Sequence, residues 1–249
     1  NELEPSGHPS AQFAQRILKE VSQSTPQGRL FPIEATLRPL GGAGPLSSSL
    51  DDLAAWFQSG SAPIAHWQAL CKARPVFGPA SSRATSMRAI RQLLTARSWQ
   101  PEDAWLLLEH RLQLERGAAP LNIKRGPGGA LDIEFVVQRL QLEHAAREPR
   151  VLEPNTLAAI DALAAADLLS QAEASWWSHA YRSLRRIEGG IRLLNSRDRH
   201  QLPAAGVDLN RLALLLGYSS STELSDSCQQ TLAENRVRFL AAFTDAIAI

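Results

Sequence analysis

The sequence predicts a mainly α-helical protein, in which an antiparallel helical bundle follows a short N-terminal region with one strand. From residue 47 onward, apolar residues recur three and four positions apart, which is the period of one face of an α-helix. Glycines, prolines and capping residues separate these segments. Upstream, only residues 29–37 alternate as a strand does. Because the connections between helical segments are short, neighbouring helices are expected to run antiparallel.

Composition excludes several classes of protein. The chain has 249 residues, 44% of them hydrophobic and 20% charged, so it can build a sizeable core. A formal net charge of +1 gives no reason to expect a nucleic-acid partner. Its 2 cysteines and 6 histidines lack the spacing of a metal or redox site. With no signal-like N-terminus and no apolar run that could span a bilayer, we expect a cytoplasmic protein without a membrane partner.

In the N-terminal region, the residue pattern predicts one short helix followed by one strand. The apolar stripe of this helix consists of Phe13, Ile17, Leu18 and Val21. Along the strand, one face carries Ile33, Ala35 and Leu37, and the other carries Glu34, Thr36 and Arg38. Because one strand cannot form a sheet, its partners are expected before residue 1 or in another chain. We therefore interpret the chain as a fragment.

Helical segments follow a glycine-rich loop at 39–45, which lacks the Gly-Lys-Ser/Thr ending of a P-loop. One predicted inward face consists of Trp105, Leu108 and Leu112. Capping boxes at 170–173 and 220–223 predict the starts of the longest helix and the last helix. The Leu and Trp stripes of these helices are typical of a core, not of a cofactor site.

One loop combines basic residues and glycines at the start of a predicted helix. Lys124 and Arg125 precede the Gly-Pro-Gly-Gly run at 126–129. Asp132 and Glu134 fall in or near the first helical turn, where the positive end of the helix dipole favours acids. Backbone N–H groups at such a turn can bind an anion. The alternative is a structural loop with solvated basic side chains, and the residues alone favour that alternative.

Glu34 and Arg38 share a predicted strand face just before the glycine-rich loop. A carboxylate there could hold a divalent metal, and the arginine could hold a phosphate. A two-metal site, however, needs several oxygen ligands around ions about 3.5–4 Å apart. The residues alone therefore favour two solvent-facing side chains.

Several runs of residues occur in the order of a known family. They are 28–39, 41–50, 68–76, 123–135, 181–188 and 201–203. Together they resemble bacterial glutamine synthetase adenylyltransferases, and they extend over almost the whole chain. The resemblance implies a fragment of one half of a duplicated enzyme, in which each half has a polymerase-β-like nucleotidyltransferase domain followed by a helical bundle.

The resemblance also implies an activity. One half of the family enzyme transfers AMP from ATP to a tyrosine of glutamine synthetase, the other half removes it by phosphorolysis, and both use Mg²⁺. Residues 1–46 would be the C-terminal remnant of the nucleotidyltransferase domain, a helix with one or two strands, and residues 47–249 the bundle. The implied partners are glutamine synthetase and, as a second candidate, a PII signalling protein. The nearness of the chain's end to the last predicted helix favours the adenylylating, C-terminal half.

The family's functional residues carry over only in part. Its Gly-Ser-Asp-x-Asp motif, with two metal carboxylates, would lie upstream of residue 1. The third carboxylate corresponds to Glu34, an Asp in the family, and Thr36 and His66 replace an Arg and a Glu. Glu34 is thus the implied catalytic residue and metal ligand. We expect the isolated chain to be inactive.

The implied roles of the remaining residues concern phosphate and the domain interface. Arg38, Lys124 and Arg125 would contact the nucleotide or its phosphates. Asp132 and Glu134 would support catalysis or the interface with the nucleotidyltransferase core.

Two alternatives stay open. Glu34, Thr36 and His66 would also suit a degenerate half that only binds partners. A relative of PII uridylyltransferase is the other alternative, although the run from Lys124 to Phe135 disfavours it.

Overall fold

The computed structural model describes residues 9–23, 26, 33–194 and 200–247. These residues form ten α-helices: α1 Pro9–Ser22, α2 Leu50–Gln58, α3 Ile64–Leu70, α4 Ala80–Ala96, α5 Pro101–Glu115, α6 Ala130–His144, α7 Thr156–Ala165, α8 Gln171–Leu194, α9 Val207–Leu215 and α10 Ser221–Ile247. The prediction of a mainly helical protein is confirmed. Within the described ranges there is no strand, only an isolated antiparallel bridge between Asn122 and Gln201.

The chain divides into two compact units. Residues 1–70 and 75–93 form the N-terminal unit, and residues 71–74 and 94–249 form the C-terminal unit. The predicted division at 46/47 separates a remnant of a nucleotidyltransferase domain from the helical bundle. The division by packing does not test that assignment, so it stays a prediction.

The N-terminal unit is held by aromatic contacts between short helices. Phe57 of α2 is buried and packs edge-on against Trp67 of α3, with ring centroids 4.6 Å apart. The Ser49 hydroxyl accepts from the Asp52 N–H (3.0 Å) and so caps the start of α2. The predicted helix at 9–22 is present, but Phe13 in its apolar stripe is 51% exposed.

The predicted strand is not shown: residues 33–37 have no regular secondary structure, its predicted partner strands would lie before residue 1 or in another chain, and its start at 29–32 lies outside the described residues. Arg38 explains the local conformation. Its guanidinium donates to the carbonyl of Ala35 and, at 3.1 Å each, to those of Gly42 and Gly44. The chain therefore folds back on itself and does not extend toward a neighbouring strand.

Helix α6 is the centre of the C-terminal unit. Of its 15 residues, 11 are buried, and α5, α7, α8 and α10 all pack against it. A helix that is surrounded in this way buries more than one stripe. The predicted inward residues Ile133, Val136, Val137 and Leu140 are buried, as expected.

The predicted inward face of α5 is wrong. Trp105 is 52% exposed and Leu112 is also exposed, whereas Ala104, Leu107 and Arg111 are buried. The helix is rotated relative to the apolar pattern because a charged residue, Arg111, occupies a core position. That rotation brings Arg111 to Asp132 on α6 and to the carbonyl of Gly126.

Close packing explains one of the two adjacent glycines in α8. A Cβ at Gly190 would lie 2.7 Å from Leu212 Cδ1, so glycine leaves room for the Leu212 side chain of α9 against α8. The capping box at the start of α8 is confirmed, since Glu173 N donates to Ser170 Oγ (3.2 Å) and Ser170 N donates to Glu173 Oε2 (3.3 Å).

Candidate functional site

The candidate site is the glycine loop, residues 122–129, which joins the end of the α5 region to α6. Its start is tied to a distant part of the chain. Ile123 N donates to His200 O (2.8 Å), and Leu202 N donates to Leu121 O (3.1 Å). The loop is therefore held in position by residues 200–202 as well as by the helix that follows it.

The backbone N–H groups of the glycine loop and of the first turn of α6 are used within the fold. The bonds are Lys124 N and Arg125 N to Asn122 Oδ1 (3.1 and 2.8 Å), Gly126 N to Asn122 O (2.8 Å), Gly128 N to Asp132 Oδ2 (2.8 Å), Gly129 N to Gly126 O (3.0 Å), Ala130 N to Ile123 O (2.9 Å), Leu131 N to Lys124 O (3.1 Å) and Asp132 N to Gly129 O (2.9 Å). Pro127 has no N–H. Backbone binding of an anion would therefore require these bonds to break.

Asp132 is the buried anchor of the loop. Its side chain is fully buried, Oδ1 lies 2.5 Å from Arg111 Nη2, and Oδ2 lies 3.1 Å from Arg236 Nη1. Arg111 Nη2 also donates to Gly126 O (2.8 Å). Hydrogen-bonded pairing of this kind is what allows charges to be buried. Asp132, which the helix dipole was predicted to favour, thus connects α5, the glycine loop and α10.

Glu115 completes a cluster of two cations and two anions. Its Oε2 lies 3.3 Å from Arg111 Nη1 and 3.0 Å from Arg236 Nη1. Burial lowers the pKa of the Arg111 guanidinium from its ordinary value, and the charges of Asp132 and Glu115 oppose that shift. We call Arg111, Glu115, Asp132 and Arg236 the buried charge cluster.

At Gly128 the backbone of α10 packs closely against the glycine loop. Its φ is +72°, and a Cβ there would lie 1.7 Å from the carbonyl oxygen of Leu232. Asn235 Nδ2 donates to Gly128 O (2.9 Å), and Trp176 Nε1 donates to Asn235 Oδ1 (2.9 Å). Glycine is therefore required both by the backbone conformation and by the available space.

Glu134 belongs to a second polar cluster in the C-terminal unit. Its Oε2 lies 2.9 Å from Lys72 Nζ, and its Oε1 accepts from the Tyr181 hydroxyl (2.8 Å). Burial, and then the negative charge of Glu134, raises the pKa of Tyr181 to about 12. These contacts, together with buried Cys71, anchor the segment 71–74 to α6 and α8.

The raised pKa of Tyr181 predicts how stability depends on pH. A phenol that ionises near pH 10 in the unfolded chain and at about 12 in the folded chain adds stability that is fully present below pH 10 and is lost as the pH rises through 12. Tyrosinate absorbance should show a transition near pH 12 that is missing from Tyr181→Phe. A transition of Tyr181 near pH 10, with the helices still folded by circular dichroism, would contradict this.

Two of the predicted phosphate contacts have available side chains. Neither Lys124 nor Arg125 forms a side-chain ion pair or hydrogen bond with any other residue in the described ranges, and Arg125 is exposed. The Arg38 guanidinium, in contrast, already donates three hydrogen bonds to carbonyl groups of residues 35–44. Phosphate binding by these three residues stays a prediction.

Glu34 is exposed in the N-terminal unit and accepts from the Thr36 N–H (3.0 Å). Hydrogen bonding by the Thr36 side chain, and then by its N–H, holds the pKa of Glu34 below its usual value. Among the described residues, no three His, Cys, Asp or Glu side chains are grouped so that they could hold a metal ion. Glu34 by itself therefore does not fit a Mg²⁺ site, because such a site needs several oxygen ligands.

Sequence reasoning placed Asp132 and Glu134 near the loop but missed their partners Arg111, Arg236 and Tyr181. One signal was present. Arg111 follows Ala104 and Leu107 at helical spacing, and a charged residue at a core position implies a buried partner. The separation of Asp132 and Arg236 by 104 residues leaves no comparable local signal.

No helix among the described residues combines the length and the apolar character that crossing a membrane requires.

Two family models match different parts of the chain. Residues 109–246, more than half of the chain, match the family described as GlnD PII-uridylyltransferase. Residues 6–89 match the family described as glutamate-ammonia ligase adenylyltransferase. The first match lies within the C-terminal unit, and the second lies almost entirely within the N-terminal unit.

Curated relatives align along most of the chain. A protein of Streptomyces coelicolor is 35% identical over 213 residues, which are 82% of this chain and 21% of the relative. A protein of Xanthomonas axonopodis pv. citri is 32% identical over 96% of this chain and 25% of its own length. One of Rhodopseudomonas palustris is 33% identical over 92% of this chain and 23% of its own length. Each is named a bifunctional glutamine synthetase adenylyltransferase/adenylyl-removing enzyme, and the chain spans about a fifth to a quarter of their length.

Proposed function

Since the chain belongs to the glutamine synthetase adenylyltransferase family, and its residues 109–246 to the family described as GlnD PII-uridylyltransferase, we propose that it is the helical part of an enzyme that adds AMP to glutamine synthetase or removes it. In this proposal the chain is a helical scaffold, and the catalytic groups are contributed by other parts of the parent protein. The observation that supports this division is the buried charge cluster. Its four charged groups lie within ion-pair distance of one another, Arg111 also donates to the glycine loop, and together they connect three helices.

ATP and Mg²⁺ are part of the proposal for the parent protein, as are a tyrosine as the acceptor and a cytoplasmic location. Glu34 would contribute to a metal site together with carboxylates from outside this chain, because the described residues contain no group of three or more His, Cys, Asp or Glu side chains that could hold a metal ion. We therefore assign no catalytic step to the chain itself.

The isolated chain is expected to transfer no label from radiolabelled ATP to glutamine synthetase in the presence of Mg²⁺. It is equally expected to release no AMP from adenylylated glutamine synthetase in phosphate. The physical reason is that its described residues contain no group of three or more His, Cys, Asp or Glu side chains that could hold a metal ion. The matched control is the full-length Streptomyces coelicolor relative under the same conditions, and label transferred by the chain alone would contradict the proposal.

The full-length protein that contains this chain provides the complementary test. It should transfer AMP to glutamine synthetase or remove it. Transfer of UMP to a PII protein in its place would favour the second candidate, a uridylyltransferase, which the match over residues 109–246 supports. Binding of glutamine synthetase without either transfer or removal would point to a degenerate, partner-binding half.

A further inference from the structure

Helices α7 and α8 border a polar groove within the C-terminal unit. Its volume is about 390 Å³, which is within the range of small-molecule sites. The α8 wall carries Ser175, Ser178 and Arg182, at positions i, i+3 and i+7 of one helical face, and the α7 wall carries Asp161 beside alanines. None of these residues belongs to the buried charge cluster or to the glycine loop. We call this cavity the α7–α8 groove.

The α7–α8 groove contains two opposite charges that no described residue neutralises. Asp161 and Arg182 are both exposed, and neither side chain has an ion-pair or hydrogen-bond partner in the described ranges. They do not pair with each other either, since no carboxylate oxygen of Asp161 lies within 4.0 Å of an Arg182 nitrogen. Arg185, one turn further along α8, pairs instead with Glu188. The groove therefore has no net charge but one unsatisfied charge of each sign.

Ser178 supplies a third polar group, and it is almost enclosed. The residue is 8% exposed, yet its hydroxyl has no hydrogen-bond partner among the described residues. Its Oγ keeps some access to solvent, so the hydroxyl opens onto the groove that the residue lines. A mostly buried hydroxyl without a partner costs free energy unless water or a ligand bonds to it. Ser178 therefore indicates a ligand independently of the two charges.

The three polar groups together specify the chemistry of an occupant. A guanidinium such as that of Arg182 pairs strongly with a carboxylate, and the hydroxyl of Ser178 can donate to the same group. The carboxylate of Asp161 would accept from an ammonium group. An anion alone would be repelled by Asp161, and a cation alone would be repelled by Arg182. We propose that the α7–α8 groove binds a small zwitterion, with its carboxylate at Arg182 and Ser178 and its ammonium group at Asp161.

The test measures binding to the full chain by isothermal titration calorimetry at low salt, so its outcome does not depend on AMP transfer. The probes are glycine, β-alanine and 4-aminobutyrate, in which the two charges are progressively further apart. Each is compared with an acid and an amine that lack the second charge, such as butyrate and butylamine for 4-aminobutyrate. The best zwitterion should bind at least about tenfold more tightly than its acid or its amine, because each of these leaves one charge of the groove unpaired.

Substitutions in the groove locate the binding. Asp161→Asn and Arg182→Gln should each weaken binding of the zwitterion at least about tenfold. Exchanging the two charges, Asp161→Arg with Arg182→Asp, should restore it, because a zwitterion can bind in the reverse orientation. Ser178→Ala should weaken binding about threefold to tenfold without lowering Tm, because its hydroxyl bonds to no other described residue. The matched control, Arg211→Gln with Asp226→Asn, removes two exposed charges that have no partner in the described ranges and lie outside the groove, and it should leave binding unchanged.

Four outcomes would overturn the proposal. They are no binding of any of the three zwitterions, equal binding of a zwitterion and its acid or amine, unchanged binding in Arg182→Gln, and no recovery of binding when the charges are exchanged. Circular dichroism shows that each variant keeps its helices, so that a loss of binding is not a loss of the fold.

Discussion

Arg111→Met is expected to lower the free energy of unfolding by about 3–5 kcal/mol, with a fall of roughly 10 °C in Tm. Arg111 and Asp132 are both fully buried, so the change leaves Asp132 without its closest partner and takes the side-chain donor from Gly126 O. Replacing one member of a buried pair costs more than the pair contributes, because an uncompensated charge stays in the core. Urea unfolding followed by circular dichroism measures the change.

An exposed ion pair provides the matched control. Arg150 lies 2.7 Å from Glu148, but its side chain is 81% exposed, and Arg150→Met should leave Tm unchanged within the precision of the measurement. The double change Arg111→Met with Asp132→Leu should recover part of the lost stability, because no unpaired carboxylate is then buried. If Arg111→Met costs no more than Arg150→Met, the buried charge cluster does not stabilise the fold.

Gly128→Ala is expected to cost at least about 3 kcal/mol. The added Cβ would lie 1.7 Å from Leu232 O, so the loop and α10 would have to separate, and the hydrogen bond from Asn235 to Gly128 O would be lost. The left-handed φ of +72° adds the ordinary penalty for a side chain in that conformation.

Gly117→Ala separates these two effects. Gly117 has a similar φ of +77°, but a Cβ there meets no atom of the described residues within 4 Å. Its expected cost is therefore only the conformational one, about 1–2 kcal/mol. Equal losses of stability in the two variants would show that the contact between α10 and the glycine loop is not tight.

The positions of the helices could be predicted because their signals are local. The capping box at Ser170 and Glu173 lies within four residues, and the stripe of α6 repeats with the helical period. The predicted strand was not shown, because alternation indicates only that a segment can form a strand and the partner strands predicted for it lie outside this chain. Over residues 33–37 no partner strand is present, and Arg38 satisfies nearby carbonyls within its own turn.

The candidate site could be predicted only in part. Asp132 and Glu134 were identified by their place at a helix start, and the contacts observed for both lie within the C-terminal unit. The role predicted for them, support of catalysis or of the interface with the nucleotidyltransferase core, stays a prediction. Their partners come from α5, α8, α10 and the segment 71–74, and no local pattern links such distant residues. The inward face of α5 was predicted wrongly for the same reason, because the partners that accompany Arg111 in the core include Asp132 of α6 and the carbonyl of Gly126, which no local pattern on α5 reveals.

The glycine loop is a structural connection between helices. Its backbone N–H groups donate within the fold, so they hold the helices in place and do not bind an anion. Hydrogen exchange at the amides of Gly128, Ala130 and Leu131 tests it most directly. These amides donate to Asp132, Ile123 and Lys124, so they should exchange as slowly as amides in the middle of α6, and inorganic phosphate should not change their rates. Rapid exchange that slows when phosphate is added would contradict the claim and would identify the loop as an anion site.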